Sequence, residues 1–125
     1  MYIHAQTSPI DTPIPGLAHS TWAGHAEGLS QLSMWRQSIA PGGATPPHRH
    51  DCDEIVLCSA GAGELHIAGE VHRFQAGSTV TLPRNVMHQI FSTGDETMEI
   101  VGVLAATPVE VFLPDGQKLD LPWRT

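Results

Sequence analysis

Apolar and polar residues alternate with a period of two in short bursts, and glycine or proline ends nearly every burst. In Glu64-Leu65-His66-Ile67-Ala68, Leu65 and Ile67 fall on one side and the polar residues on the other, as in a half-buried strand. Residues 54–60 form a continuous apolar run opened by Glu54, and Gly61-Ala62-Gly63 turns the chain out of it. Residues 17–39 predict strand, turn, strand, with Gly24 and Gly28 bracketing the turn and Pro41-Gly42-Gly43 closing the second strand. Further strands are expected at 71–74, around Val80 and Leu82, from His88 to Ser92, and at 98–104. Pro114-Asp115-Gly116 predicts a turn joining a strand at 109–113 to residues 117–121 as a hairpin. Residues 1–16, with Pro9, Pro13, Pro15 and Gly16, predict an arm without regular structure. No segment has the 3.6-residue period of an amphipathic helix. Short strands at 8–12-residue spacing predict one all-β, antiparallel domain spanning 1–125, a barrel or sandwich.

Composition narrows the function more than the fold. The formal net charge is −7 with only six Lys plus Arg and no basic run, which argues against a nucleic-acid partner. No stretch approaches the eighteen or so apolar residues that predict a membrane-spanning helix, and no signal-peptide pattern opens the chain. Two cysteines, Cys52 and Cys58, make no disulfide framework. A cytoplasmic protein is the expectation.

The chemistry concentrates in two stretches. The first is Gly42-Gly43-Ala44-Thr45-Pro46-Pro47-His48-Arg49-His50-Asp51-Cys52-Asp53-Glu54; the second runs from Gly77 through Pro83 and Asn85 to His88. Residues two apart on a strand share a face, so His48 and His50 project together and Arg49 projects away. Glu54 opens the next strand and can face the same interior, while His88 arrives from elsewhere. Three imidazoles and a carboxylate suit one divalent transition ion: Fe, Mn, Ni, Co, Cu or Zn.

In this spacing the chain resembles the cupin superfamily in its small, single-domain form. Gly42, His48, His50, Glu54 and Gly61 match the first motif of that superfamily, G-x5-H-x-H-x3-4-E-x6-G. Gly77, Pro83 and His88 match the second, G-x5-P-x-G-x2-H-x3-N, with Asn85 at the turn glycine and Ser92 at the final asparagine. Asn tolerates positive φ, so the first departure is mild. The motifs cover 42–92. The resemblance implies an antiparallel double-stranded β-helix (a jelly-roll-like barrel), a metal held by His48, His50, Glu54 and His88, and a homodimer. The N-terminal arm and the 109–113 strand are the segments expected at the dimer interface.

The reaction is not implied, because the superfamily spans dioxygenases, isomerases, lyases and non-catalytic binding proteins. The favoured expectation is a metalloenzyme acting on a small organic molecule, with Glu54, metal-bound water or an unassigned histidine moving protons; the alternative is a non-catalytic ligand-binding or sensing module. The only tyrosine is Tyr2 and the only lysine is Lys118, so a Schiff base or a tyrosine acid inside the barrel is not expected. Scarcity of other acid–base groups favours oxygen chemistry over Lewis-acid isomerisation. Trp22, Met34, Trp35, Met87, Ile90, Phe91 and Met98 are candidate cavity walls, against ordinary core for each. Cys58 reads as core and Cys52 as a loop thiol without a role; His66 and His72 read as solvent-facing; His4, His19 and His25 form no second site. Arg36, Arg73, Arg84 and Gln37 are unassigned polar candidates, with Arg49 directed outward.

Overall fold

The computed structural model describes all residues from Met1 to Thr125. It contains nine strands: β1 (Ile10–Asp11), β2 (Leu17–Ala23), β3 (Ser33–Ile39), β4 (Glu54–Ala60), β5 (Ala62–Ile67), β6 (Glu70–Gln75), β7 (Thr79–Leu82), β8 (His88–Ser92) and β9 (Met98–Leu104). The only helix is a single 3₁₀ turn at His25–Glu27, and none is long and apolar enough to cross a membrane. Every strand pair is antiparallel. A six-stranded sheet in the order β1-β2-β3-β9-β4-β7 faces a three-stranded sheet in the order β6-β5-β8.

Period-two patterning decides which side chains fill the interior. Along β3, Ser33, Trp35, Gln37 and Ile39 are buried, and along β4 Glu54, Val56 and Cys58 are buried while Ile55, Leu57 and Ser59 are exposed. The core cluster joins Ile39, Val56, Ile100 and Leu104 of the large sheet to Leu65 and Ile90 of the small one. Trp35 pairs with Gly102 across β3 and β9. A Cβ on Gly102 would lie 2.3 Å from the Trp35 ring, so glycine there gives the indole its seat.

Two details follow the motif reading. Asn85 adopts φ 66°, which allows it to replace the turn glycine. Its N–H donates to His50 O at 2.7 Å and its Oδ1 accepts from Arg49 at 3.0 Å. Gly61 has φ 84°, and a Cβ there would press to 2.8 Å from the Met98 backbone.

The tail departs from expectation. Residues 109–113 form no ladder strand. Phe112 instead makes isolated bridges to Arg49 and to Lys118. The turn after Leu113 closes as predicted, with Leu113 N–H donating to Gln117 O at 2.8 Å. The segment lies across the barrel, where both Arg49 backbone groups bond to Phe112 at 2.9 Å, rather than along a free edge.

Candidate metal centre

Backbone pairing brings the donor residues together. Residues 44–48 run antiparallel to β8, with bridges Ala44↔Phe91 and His48↔His88. His48 N–H donates to His88 O at 3.0 Å, and His88 N–H returns a bond to His48 O at 2.9 Å. The two imidazoles are thus cross-strand neighbours, with ring centroids 4.4 Å apart. His50 lies two residues on, its ring 4.9 Å from that of His48. Glu54 begins β4 between Leu82 and Leu104 and is 3% exposed. One ligand atom from each of His48, His50 and His88 fits within 4.8 Å of the others. Glu54 Oε1 lies 3.6 Å from His50 Nε2 and 3.7 Å from His88 Nε2.

Hydrogen bonding fixes the proton on each ring. His48 Nδ1 lies 2.7 Å from Pro46 O, His50 Nδ1 2.8 Å from Glu110 O, and His88 Nδ1 3.0 Å from Val86 O. A carbonyl only accepts, so each Nδ1 carries the hydrogen and each neutral ring leaves Nε2 as a bare lone pair. Burial lowers the His48 pKa to about 3 and that of His88 to about 4, with neighbouring imidazoles pushing the same way, and burial lowers His50 too. Burial raises Glu54 to about 8. The Glu54–His distances fall within ion-pair range, yet these shifts leave both partners uncharged near neutral pH, so the contacts are not salt bridges.

The donor set fits a cation. Glu54 Oε2 is buried without a hydrogen-bond partner, and the lone pairs of His50 and His88 lie 3.6 and 3.7 Å from Glu54 Oε1, too far for a hydrogen bond to its carboxyl. Two ligands about 2.1 Å from one ion are separated by roughly 3–4 Å, and the Glu54–His distances fall in that range. The bonds from Nδ1 to carbonyls are the outer contacts that commonly orient metal-bound histidines.

The donors open into a cavity of about 310 Å³, lined on one side by Ile14, Leu17, Trp35, Gln37 and Thr45 and on the other by residues of the tail between Val109 and Thr125. Of the expected wall residues, Trp35 and Ile90 line it; Trp22, Met34, Met87, Phe91 and Met98 do not. Met98 is fully buried core. Cys58 is buried as expected. Cys52 is buried in its loop, and its thiol pKa is pushed up to about 11 by burial and by Glu54 and its acidic neighbours, which makes it unreactive. His66 and His72 are solvent-facing, each beside a glutamate. Arg36 pairs with Glu99 at 2.5 Å on the outer face of the large sheet, and Arg49 lies over the Phe112 ring at 4.4 Å. Gln37 reaches the cavity. Sequence reasoning missed the tail as a cavity wall, the Glu110 carbonyl that holds His50, and His19, which stacks on Trp123 at 4.2 Å. Trp123 lies 73 residues from His50 in the chain, and no local pattern announces such contacts.

A family model described as auxin binding protein matches residues 6–122. Auxin-binding protein 1 of Arabidopsis thaliana is 34% identical over 109 residues, covering 79% of this chain and 55% of its own length. The chain therefore spans little more than half of that relative. Among solved structures, oxalate oxidase in complex with the substrate analogue glycolate superimposes with TM-score 0.71 at 27% identity, covering 84% of this chain and 59% of that one. A cupin 2 conserved barrel domain protein from Salinispora arenicola gives TM-score 0.66 at 23% identity, covering 82% and 89% of the two chains, a likeness of fold.

Proposed function

The chain belongs to the auxin-binding protein family, within the cupin superfamily, and from that premise we propose that it holds one divalent transition ion on His48, His50, Glu54 and His88 and captures a small organic acid beside it. The carrying observation is the set of three histidine Nε2 lone pairs, each fixed by an Nδ1–carbonyl bond, converging with the unpartnered Glu54 carboxyl on the cavity. The ion, when bound, supplies Lewis acidity and coordination positions for a carboxylate oxygen. The protein supplies the rest. Trp35, Leu17, Ile14 and Trp123 offer apolar surface for a flat organic body, and Gln37 and Thr45 offer polar contacts. Lys118 and Arg124, two of only six Lys and Arg in the chain, line the tail side of the cavity beside Glu110 and Asp120. Glu110 lies 3.9 Å from Lys118 and 3.6 Å from Arg124 and holds those cations in place.

The test is direct. Metal-stripped protein is titrated with zinc, manganese and ferrous iron, and bound metal is counted by plasma mass spectrometry. Indole-3-acetate is then added in a calorimeter. One ion per chain and saturable binding that vanishes with chelator are expected; absence of metal uptake would remove the proposal.

A second reading, catalysis, draws on the likeness to oxalate oxidase. Glu54, with its free Oε2, is then the residue that holds or moves a proton at that atom. Oxygen consumption by manganese- or iron-loaded protein given oxalate or glycolate separates this reading from binding alone. We also propose pairing of two copies. Ile55 and Leu57 point outward from β4, and Met1, Tyr2 and Ile3 of the arm are almost wholly exposed; exposed apolar side chains on β4 and on the arm are the surfaces on which this pairing rests.

A further inference from the structure

His19 has no place in the metal centre, yet it is 4% exposed and makes directed contacts on all sides. Its Nδ1 lies 3.0 Å from Gln37 Nε2, and an amide nitrogen donates, so Nδ1 accepts. The ring proton then sits on Nε2, which donates to Thr21 Oγ1 at 2.9 Å. The Thr21 hydroxyl lies 3.1 Å from Thr125 Oγ1. The face of the same imidazole stacks on Trp123 at 4.2 Å with planes 20° apart. One buried ring therefore touches a polar wall residue on β3 and an aromatic wall residue on the tail.

The tail has few other attachments in this region. From residues 114–125, the only hydrogen bonds to residues 1–104 end on the Thr21 hydroxyl, which reaches Thr125 Oγ1 and, at 3.5 Å, Arg124 O. Val109 N–H donates to Thr125 O at 2.8 Å, but that bond lies within the tail. Gln37, Trp123 and Thr125 all line the cavity, and His19 sits behind them. Their alignment depends on β2, not on the metal donors.

We infer that His19 is a positioning residue for the ligand site proposed above: it orients the Gln37 amide, seats Trp123, and with Thr21 ties the tail over the cavity. Its ring carries the proton on Nε2, the reverse of His48, His50 and His88. Losing the ring frees the Gln37 amide to rotate and removes the surface on which Trp123 rests. The consequence is a cavity with the same metal donors but a misaligned wall.

The experiment uses the full chain and two kinds of readout. In ¹⁵N-histidine spectra of metal-free protein near neutral pH, His19 is expected with a protonated Nε2 and the three donor histidines with a protonated Nδ1. In protein labelled with fluorotryptophan, His19→Leu is expected to shift the Trp123 resonance, while His19→Phe, which retains a stacking ring, shifts it less. Zinc-loaded His19→Phe should retain one zinc and bind indole-3-acetate about fivefold more weakly, the scale of one neutral hydrogen bond. Gln37→Leu should lose a similar factor, and the double variant should lose less than the product of the two, because His19 acts in part through Gln37. Losses that multiply, or unchanged affinity in His19→Phe, would overturn the inference. Should the native protein take up zinc and ignore indole-3-acetate, the ligand reading falls by itself; His19 is then judged by its tautomer and by Trp123, and an unmoved Trp123 resonance in a folded His19→Leu protein overturns it.

Discussion

In the metal-free protein the contribution of Glu54 to stability falls as pH rises, opposite to the usual behaviour of a paired carboxylate. Burial raises its pKa from 4.5 to about 8. Between those values the unfolded chain has released this proton and the folded chain has kept it, so the folded state binds more protons and stability falls with rising pH. Each pH unit in that window removes up to about 1.4 kcal/mol. The four buried histidines act in the other direction, fully below their ordinary value of 6.5 and in part above it, because at pH 6.5 each is still half protonated in the unfolded chain while the fold refuses the proton. Cys52, raised from 9.0 to about 11, contributes only at higher pH. From pH 6.5 to 8 Glu54 alone removes about 1.7 kcal/mol and the histidines together restore about 1.6 kcal/mol, so the native profile is nearly level and the Glu54 contribution is read as the difference between the native and Glu54→Gln profiles. Urea unfolding at pH 6.5, 7, 7.5 and 8 in the presence of chelator measures it. Glu54→Gln, which keeps the shape and removes only this titration, should gain about 1.6 kcal/mol from pH 6.5 to 8, the histidine contribution that Glu54 offsets in the native chain. One equivalent of zinc should also remove the Glu54 contribution, because the ion stabilises the ionised carboxylate. The same change of stability with pH in Glu54→Gln as in the native chain would refute the claim of a buried, unpartnered carboxyl.

Three further outcomes are expected. His50→Ala and His88→Ala should lose most bound metal while His66→Ala retains it; equal metal content in all three would dismiss the proposed ligand set. Gly102→Ala should destabilise by about 1–3 kcal/mol, the range for overpacked cores, because its new Cβ meets the Trp35 ring at 2.3 Å; a melting temperature within a degree of the native value would show that Trp35 can shift freely. Light scattering at micromolar concentration should give about twice the 13.4 kDa of one chain, and Leu57→Glu should halve that mass without lowering the melting temperature; a native monomer would end the pairing proposal.

What could be read from the sequence and what could not divide along a physical line. Strands β3, β4, β5, β7, β8 and β9 were legible because burial on one face imposes a period of two, and a one-residue slip would expose the whole buried set. The donor histidines were legible because their grouping rests on local spacing plus one long-range partner. The 109–113 segment misled because its apolar residues have strand composition, whereas they cover a cavity: Val109 and Val111 line it, and Phe112 is held by the Arg49 backbone and guanidinium. Apolar composition reports that a side chain will be covered and does not report by what.

His19 shows the same limit from the polar side. Its neighbours in sequence, Ala18 and Ser20, give no sign of a role, and nothing in the spacing of His4, His19 and His25 suggests a site. Its partners Gln37 and Trp123 lie 18 and 104 residues away, and the function of the ring exists only once β2, β3 and the tail have met. A metal site can be announced by spacing because its ligands converge on one point and strand geometry supplies two of them together. A positioning residue acts through other side chains, so its partners are fixed by tertiary packing alone. That difference explains why the four candidate donors were visible in the chain while the residue that aligns the wall beside them was not.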